Sequence, residues 1–208
     1  MAGAMGTLGV LLDLSFKVLP KPVEDLTLRY ELDEAAAIRQ FNEWAGKPLP
    51  MSATSWHDGV AMLRLSGASA GVKAARQKLG GEAIANDEAL AFWRKLRDQR
   101  DDFFQSAEPL WRLSVPPTTQ ALQLAMPQWI EWGGGLRWVR GPADASTLRA
   151  KIGAAGGHVT LFRRGDNRGD KSVGVFNPLQ PALAKIHRDL KAAFDPENIL
   201  NRGRLDNF

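Results

Sequence analysis

Residues 52–67 read SATSWHDGVAMLRLSG. Two short runs of strand length, Ser52 to Trp56 and Val60 to Leu65, flank His57-Asp58-Gly59. Asp-Gly supplies the left-handed residues that a tight hairpin turn requires. The stretch therefore reads as a β-hairpin, and the elements on either side decide what the hairpin belongs to.

Upstream, Leu26 to Leu32 reads as a strand. Asp33 then caps a helix that carries Ala37, Ile38, Phe41, Trp44 and Ala45 on one face, and GKPLP ends it. Downstream, Ser69 caps a helix to Leu79, Gly80-Gly81 stops it, and Glu82 to Ala85 is a short strand. The order is β-α-β-β-α-β, the split βαβ arrangement of a ferredoxin-like unit. A longer helix, Asp87 to Phe104, follows with Leu90, Trp93, Leu96, Arg100 and Phe103 along one stripe.

The order then recurs. Leu110 to Val115 is a strand, and PPTTQALQLA, residues 116–125, is a loop with a weak helix. Gln128 to Trp132 and Leu136 to Val139 are strands around Gly133-Gly134-Gly135. Asp144 caps a helix to Ala155, Gly156-Gly157 stops it, and His158 to Phe162 is a strand. The fold class is α+β: two tandem ferredoxin-like units forming a largely antiparallel sheet with helices over one face. The repeat is architectural, without sequence identity between the halves.

The chain ends frame this core. Val10 to Val18 reads as a strand broken by LPKP. Arg163 to Val175 is a polar, Gly-rich, mobile loop carrying the basic residues Arg163, Arg164, Arg168 and Lys171. A final helix after Pro181 aligns Leu183, Ile186, Leu190 and Phe194. In the closing stretch, Asp195 with Pro196 at the first helical position suits a single capped turn. Asn201 and Gly203 suit left-handed backbone.

Composition narrows the chemistry. The 208 residues include no Cys, so thiolate metal sites, thiol nucleophiles and disulfides are excluded. Three dispersed His without a carboxylate pattern argue against zinc, and no metal site is expected. No apolar run approaches the roughly 18 residues of a membrane span, and the start lacks a basic leader region. The net charge of +4 is spread along the chain. Ferredoxin-like pairs also bind RNA, but the Gly-Phe-Gly-Phe stretch of that use is missing, so no nucleic-acid partner is expected. No phosphate-binding loop or G-x-G-x-x-G occurs.

Strand alternation isolates a polar face. Trp111, Leu113 and Val115 share one side, which leaves Arg112 and Ser114 on the other. Val159 and Leu161 oppose His158, Thr160 and Phe162, and Leu63 and Leu65 oppose Met62 and Arg64. A planar arginine fork suits a carboxylate, and an imidazole suits a proton acceptor, so Arg112 and His158 are the candidate catalytic residues. The same residue types also serve as a surface arginine and a hydrogen-bonded structural histidine. His57 and His187 read as structural.

FDPENILNRGRL, residues 194–205, resembles the C-terminal signature of the vanillyl-alcohol oxidase and D-lactate dehydrogenase superfamily of FAD-linked oxidases, with Arg202 in place of the usual Pro. GTLGVLLDLSFKVLPKP, residues 6–22, resembles the last strand of that family's FAD-binding domain. SATSWHDGVAMLRLSG, LWRLSVPP, IEWGGGLRW and GGHVTLFR resemble the FAD-binding subunit of bacterial glycolate oxidase. The resemblance implies residues 1–22 as the final strand and linker of an FAD domain, 23–180 as a cap or substrate domain, and 181–208 as a C-terminal helix and flavin-side tail. It implies FAD as cofactor, with the pyrophosphate held by a domain preceding Gly6 and weak or no flavin binding by this chain alone. Gly6, Thr7, Leu8, Gly9, Asn201 and Gly203 become candidate flavin contacts.

The implied reaction is oxidation of a small 2-hydroxy acid such as glycolate. The implied partners are a flavin catalytic subunit and an iron-sulfur subunit, in a cytoplasmic complex with at most peripheral membrane association. The family's metal-binding Gly-Asp-Gly-Asn-aliphatic-His stretch is absent, and Gly165-Asp166-Asn167 is only a superficial echo of it. The competing reading is a noncatalytic module that docks a partner subunit through its open sheet face.

Overall fold

The computed structural model describes residues 3–165 and 173–205. Its backbone divides into two compact units, one formed by Lys21–Val175 and the other by Met1–Pro20 with Phe176–Phe208.

The larger unit is built on one eight-stranded sheet. Its elements are β1 (Glu24–Glu31), α1 (Glu34–Ala45), β2 (Met51–His57), β3 (Val60–Gly67), α2 (Ser69–Leu79), β4 (Glu82–Ile84), α3 (Asn86–Arg97), β5 (Leu110–Ser114), β6 (Gln128–Glu131), β7 (Leu136–Arg140), α4 (Ala145–Ala154) and β8 (His158–Arg163). The strand order is β4-β1-β3-β2-β6-β7-β5-β8, and every pairing is antiparallel. The first four strands have the order of a ferredoxin-like sheet. The last four repeat it as a mirror-ordered half.

The hairpin at residues 52–67 forms as its sequence dictates. His57 pairs with Val60, and Asp58 and Gly59 take φ of 44° and 78°, the left-handed pair of a two-residue turn. The two halves join edge to edge where β2 meets β6 in the register Ser55 to Glu131, Trp56 to Ile130 and His57 to Trp129. Trp129 locks this seam by donating its indole N–H to Ser55 Oγ at 2.7 Å and stacking on His57 at 4.3 Å. His57 is thereby a packing residue, with Nδ1 2.7 Å from the Gln128 carbonyl oxygen.

Helices α1, α2 and α4 lie over one face. Leu28, Leu63, Leu65, Phe41, Trp44 and Val72 form the core of the first half there. Trp111, Leu113, Val139, Val159, Leu148 and Ile152 form that of the second. Asp33 caps α1 through the Ala36 amide, and Asp144 caps α4 through the Thr147 amide. Ser69 is the first residue of α2 rather than its cap, and Ala68 precedes it without a side-chain bond.

The expectation of helices over one face needs an addition, because α3 packs on the other. Ala89 joins Met62 and Ile84, and Leu96 joins Phe103, Phe104, Leu110, Trp129, Leu136 and Trp138. The Trp93 indole N–H donates to Thr27 Oγ1 at 2.9 Å. This helix stops at Arg97, not Phe104. Gln99 adopts φ of 52°, and the Gln99 and Arg100 amides donate back to the Leu96 and Lys95 carbonyls, a left-handed helix termination. Phe103 therefore reaches the core from a turn, not from the helical stripe.

The weak helix expected within residues 116–125 does not form. Two prolines and two threonines discourage it. The segment instead crosses the helix-covered face, where Leu122 enters the core. Arg137, fully buried, satisfies its carbonyls. It donates to Gln120 O at 2.9 Å, to Thr119 O, and to Gly134 O at 3.0 Å, and it lies 3.7 Å from Glu34. Burial pushes the Arg137 guanidinium below its ordinary value, and the Glu34 carboxylate opposes that.

In the smaller unit, α5 (Pro181–Phe194) is the regular element among the described residues. The strand expected at Val10 to Val18 is not formed. Residues 9–22 carry no ladder, and Val10, Leu12, Phe16, Val18 and Leu19 are each more than 70% exposed. A strand needs a neighbour to take its amides, and none lies among the described residues of this unit. The expected single turn at Asp195-Pro196 forms, with the Asn198 amide donating to the Asp195 carbonyl at 2.9 Å. Pro196 disfavours helical backbone at Asp195, which ends α5, and the Asp195 carboxylate accepts from the Ile199 and Leu200 amides at 3.1 and 2.9 Å. Most of the loop expected to be mobile, with Arg168, Lys171 and the Gly165-Asp166-Asn167 echo, lies outside the described residues.

Candidate functional site

The face opposite α1, α2 and α4 carries the polar side chains. On β5, Arg112 is half-buried and points away from the Trp111–Leu113 core. It pairs across the ladder with Thr160 of β8, while Ser114 pairs with His158. Arg112 and His158 are thus diagonal neighbours on one face, within the reach of long side chains. His158 is exposed at the start of β8, on the sheet's edge. Phe162, on the same face, meets Trp138 edge-on at 4.9 Å.

Arg112 makes no hydrogen bond or ion pair among the described residues. Its guanidinium instead lies 5.6 Å from the ring centroid of Trp132. Trp132 is 66% exposed and has φ of 53°, an uncommon conformation for a bulky residue. Hydrogen bonds hold it there: the Gly133 amide donates to Thr54 Oγ1 at 2.7 Å and the Gly135 amide to the Trp132 carbonyl at 3.1 Å. Gly134, at φ of 101°, sits where a Cβ would come within 2.9 Å of the Pro117 carbonyl. The glycine run is therefore a device that turns an aromatic outward.

Beside it, Glu131 accepts from the Trp138 indole at 2.7 Å. Burial pushes its carboxyl above the usual carboxylate range, and the Trp138 bond and the Arg112 charge partly offset that. Glu131, Trp132 and Gly133 form one wall of an open cleft of about 840 Å³; α3 supplies Leu90, Trp93, Arg94 and Arg97, and the sheet supplies Ala53 and Arg64. Sequence reasoning passed over Glu131, Trp132 and Arg94. The signal available was three glycines after a Trp, more than a two-strand connection requires.

The candidate flavin-side residues lie in the smaller unit, where chain ends meet. Asn201 Nδ2 donates to the Met5 carbonyl at 2.7 Å, and Gly6 packs so closely that a Cβ would stand 2.7 Å from that nitrogen. Thr7 is buried; its hydroxyl donates to Ala4 O, and its carbonyl accepts from Lys191 Nζ at 2.8 Å. Leu8 and Gly9 are half-buried, and Gly203, at φ of 64°, is exposed. The structure thus brings Gly6, Thr7 and Asn201 together. Arg112 and His158 belong to the other unit. The Asn201 amide nitrogen is spent on the Met5 carbonyl, which ties the two chain segments to each other, and the Thr7 hydroxyl and amide are spent on the Ala4 carbonyl.

Among the described residues, no group of three or more His, Asp or Glu is placed to hold a metal ion. No described helix is long and apolar enough to cross a membrane.

No protein-family model matches the chain. Against curated proteins, the chain is similar to the glycolate oxidase subunit GlcE of Escherichia coli strain K12, at 40% identity over 205 residues. That match takes in 99% of this chain and 55% of the relative, so the chain spans about half the length of the curated relative it matches.

Proposed function

We propose that this chain is the cap or substrate-domain portion of an FAD-linked 2-hydroxy-acid oxidase subunit acting on glycolate. The observation that carries the reading is the likeness to the glycolate oxidase subunit, sustained at 40% identity across 99% of the chain. The exposed apolar residues of segment 10–19 and the exposed stripe Leu183, Ile186, Leu190 and Phe194 support it, because such surfaces call for a covering partner. In this reading residues 1–22 and 181–208 flank a flavin-binding domain outside these 208 residues, and 23–180 form the cap. The other subunits are a flavin catalytic subunit and an iron-sulfur subunit, in a cytoplasmic complex.

When bound, the flavin supplies acceptance of a hydride from the α-carbon. The chain's own groups do the rest. Arg112 clamps the substrate carboxylate, with its guanidinium held by the Trp132 face and making no hydrogen bond or ion pair among the described residues. His158 takes the hydroxyl proton from its exposed position diagonal to Arg112. Gly6 to Gly9, Asn201 and Gly203 border the flavin ring.

The test is reconstitution. The purified chain is expected to be colourless. Co-expression with the FAD domain and partner subunits is expected to give a flavin spectrum and glycolate-dependent dye reduction. A yellow isolated chain, or a reconstituted complex indifferent to glycolate, overturns the reading.

A further inference from the structure

The cleft between α3 and the Trp132 turn is a second feature, and nothing in the proposed reaction uses Arg94, Leu90 or Trp93. Its walls have three properties that bear on a ligand. Its volume, about 840 Å³, lies in the range of sites that enclose molecules of drug-like size, about 300–1,000 Å³. A two-carbon acid would leave most of it to water. Its rim presents two exposed apolar side chains, Leu90 at 47% and Trp132 at 66%. Trp132 is turned outward by a strained backbone that the fold over-determines with glycines and hydrogen bonds, the pattern expected of a residue kept for contact.

The third property is charge. Arg64, Arg94 and Arg97 line the cleft against one acid, Glu131. Arg64 is paired with Asp25 at 3.0 Å, and Arg97 with Asp98 at 2.8 Å. The Arg94 guanidinium has no hydrogen bond or ion pair among the described residues, and Asp98, which feels its charge, is already taken by Arg97. An unneutralised planar cation beside an exposed indole suits an anion that carries a flat apolar body.

We propose that this cleft binds an aromatic carboxylic acid, with Arg94 pairing the carboxylate and Trp132 and Leu90 enclosing the ring. The site adjoins the Arg112–His158 pair, because Trp132 meets the Arg112 guanidinium as well as lining the cleft, but its anion anchor is Arg94 and its occupancy needs neither flavin nor a 2-hydroxyl group.

Isothermal titration of the 208-residue chain with 3-phenylpropionate tests it. Saturable one-to-one binding is expected, with 3-phenylpropanol and acetate each binding at least about tenfold more weakly because one lacks the charge and the other the ring. Arg94→Gln and Trp132→Ala are each expected to weaken 3-phenylpropionate by about tenfold, with unchanged circular dichroism. Absence of saturable binding at millimolar ligand overturns the proposal. So does an affinity that either substitution leaves intact, or acetate binding as tightly as the aryl acid. Because the probe is no substrate for hydride transfer, these outcomes stand apart from the glycolate reading.

Discussion

Lys191 and Asp195, one turn apart at the end of α5, form a buried ion pair with Nζ 2.5 Å from Oδ2, and the same ammonium reaches the Thr7 carbonyl 184 residues away. A third bond, to the Leu200 carbonyl at 2.8 Å, completes the ammonium's three donors. The carboxylate in turn holds the Ile199 and Leu200 amides. One ion pair thus fastens the beginning of the chain and its closing turn to the same helix.

The clasp is expected to fail in acid. The Lys191 hydrogen bond, with the Leu200 and Ile199 amides, holds the Asp195 carboxyl down at about 2, against an unfolded value of about 3.9. A depressed carboxyl contributes stability that is full above its unfolded pKa and is lost as pH falls through its folded one. Hydrogen exchange at Ile199 and Leu200 should accelerate between about pH 4 and pH 2, ahead of amides in β3. Asp195→Asn should show that fast exchange already at pH 7.

Gly6→Ala is expected to loosen the same unit. The position has φ of 73°, and the new methyl would stand 2.7 Å from Asn201 Nδ2. The left-handed backbone and the clash together should cost about 1–3 kcal/mol. Asn201→Gly should itself destabilise the unit by removing the bond to the Met5 carbonyl, so the clash is read as the non-additive part of the cycle. Thermal unfolding of both single variants and the double variant measures it.

Arg137→Met should destabilise the larger unit by about 3 kcal/mol or more, because three carbonyls and Glu34 lose their buried partner together. Arg137→Lys should rescue little, since an ammonium cannot span the fork geometry. Urea unfolding midpoints measure both.

In the reconstituted oxidase, Arg112→Ala is expected to lower kcat/KM for glycolate by roughly a hundredfold, from loss of positioning. Its melting temperature should stay near that of the parent, because Arg112 makes no hydrogen bond among the described residues. His158→Gln should lower kcat by a hundredfold or more. A variant of either kind with full activity removes that residue from the mechanism.

Much of the fold was legible because its signals are local. The Asp-Gly turn at residues 58–59, and Asp33 and Asp144 before apolar-periodic runs, each act within a few residues, and each appears where read. The second-half strands were legible for the same reason, as were the faces of Arg112 and His158. What failed were elements read from spacing alone, where a missing strand partner or a left-handed backbone stop decides the outcome. Residues 10–18 alternate like a strand but have no described neighbour to complete a ladder. Phe103 continues a helical stripe by spacing, yet a left-handed Gln99 ends the helix before it.

The sequence by itself determined the αβ order, the hairpin, the helix caps and which side of each strand is apolar, because these follow from backbone preference and side-chain period. Only the tertiary structure decided that β2 and β6 fuse the halves into one sheet, that α3 covers part of the polar face, and that Trp132 and Arg94 flank a cleft beside it. Those relations join residues tens of positions apart. Such contacts are chosen by packing and hydrogen-bond satisfaction across the folded chain, and no local pattern of residues encodes them.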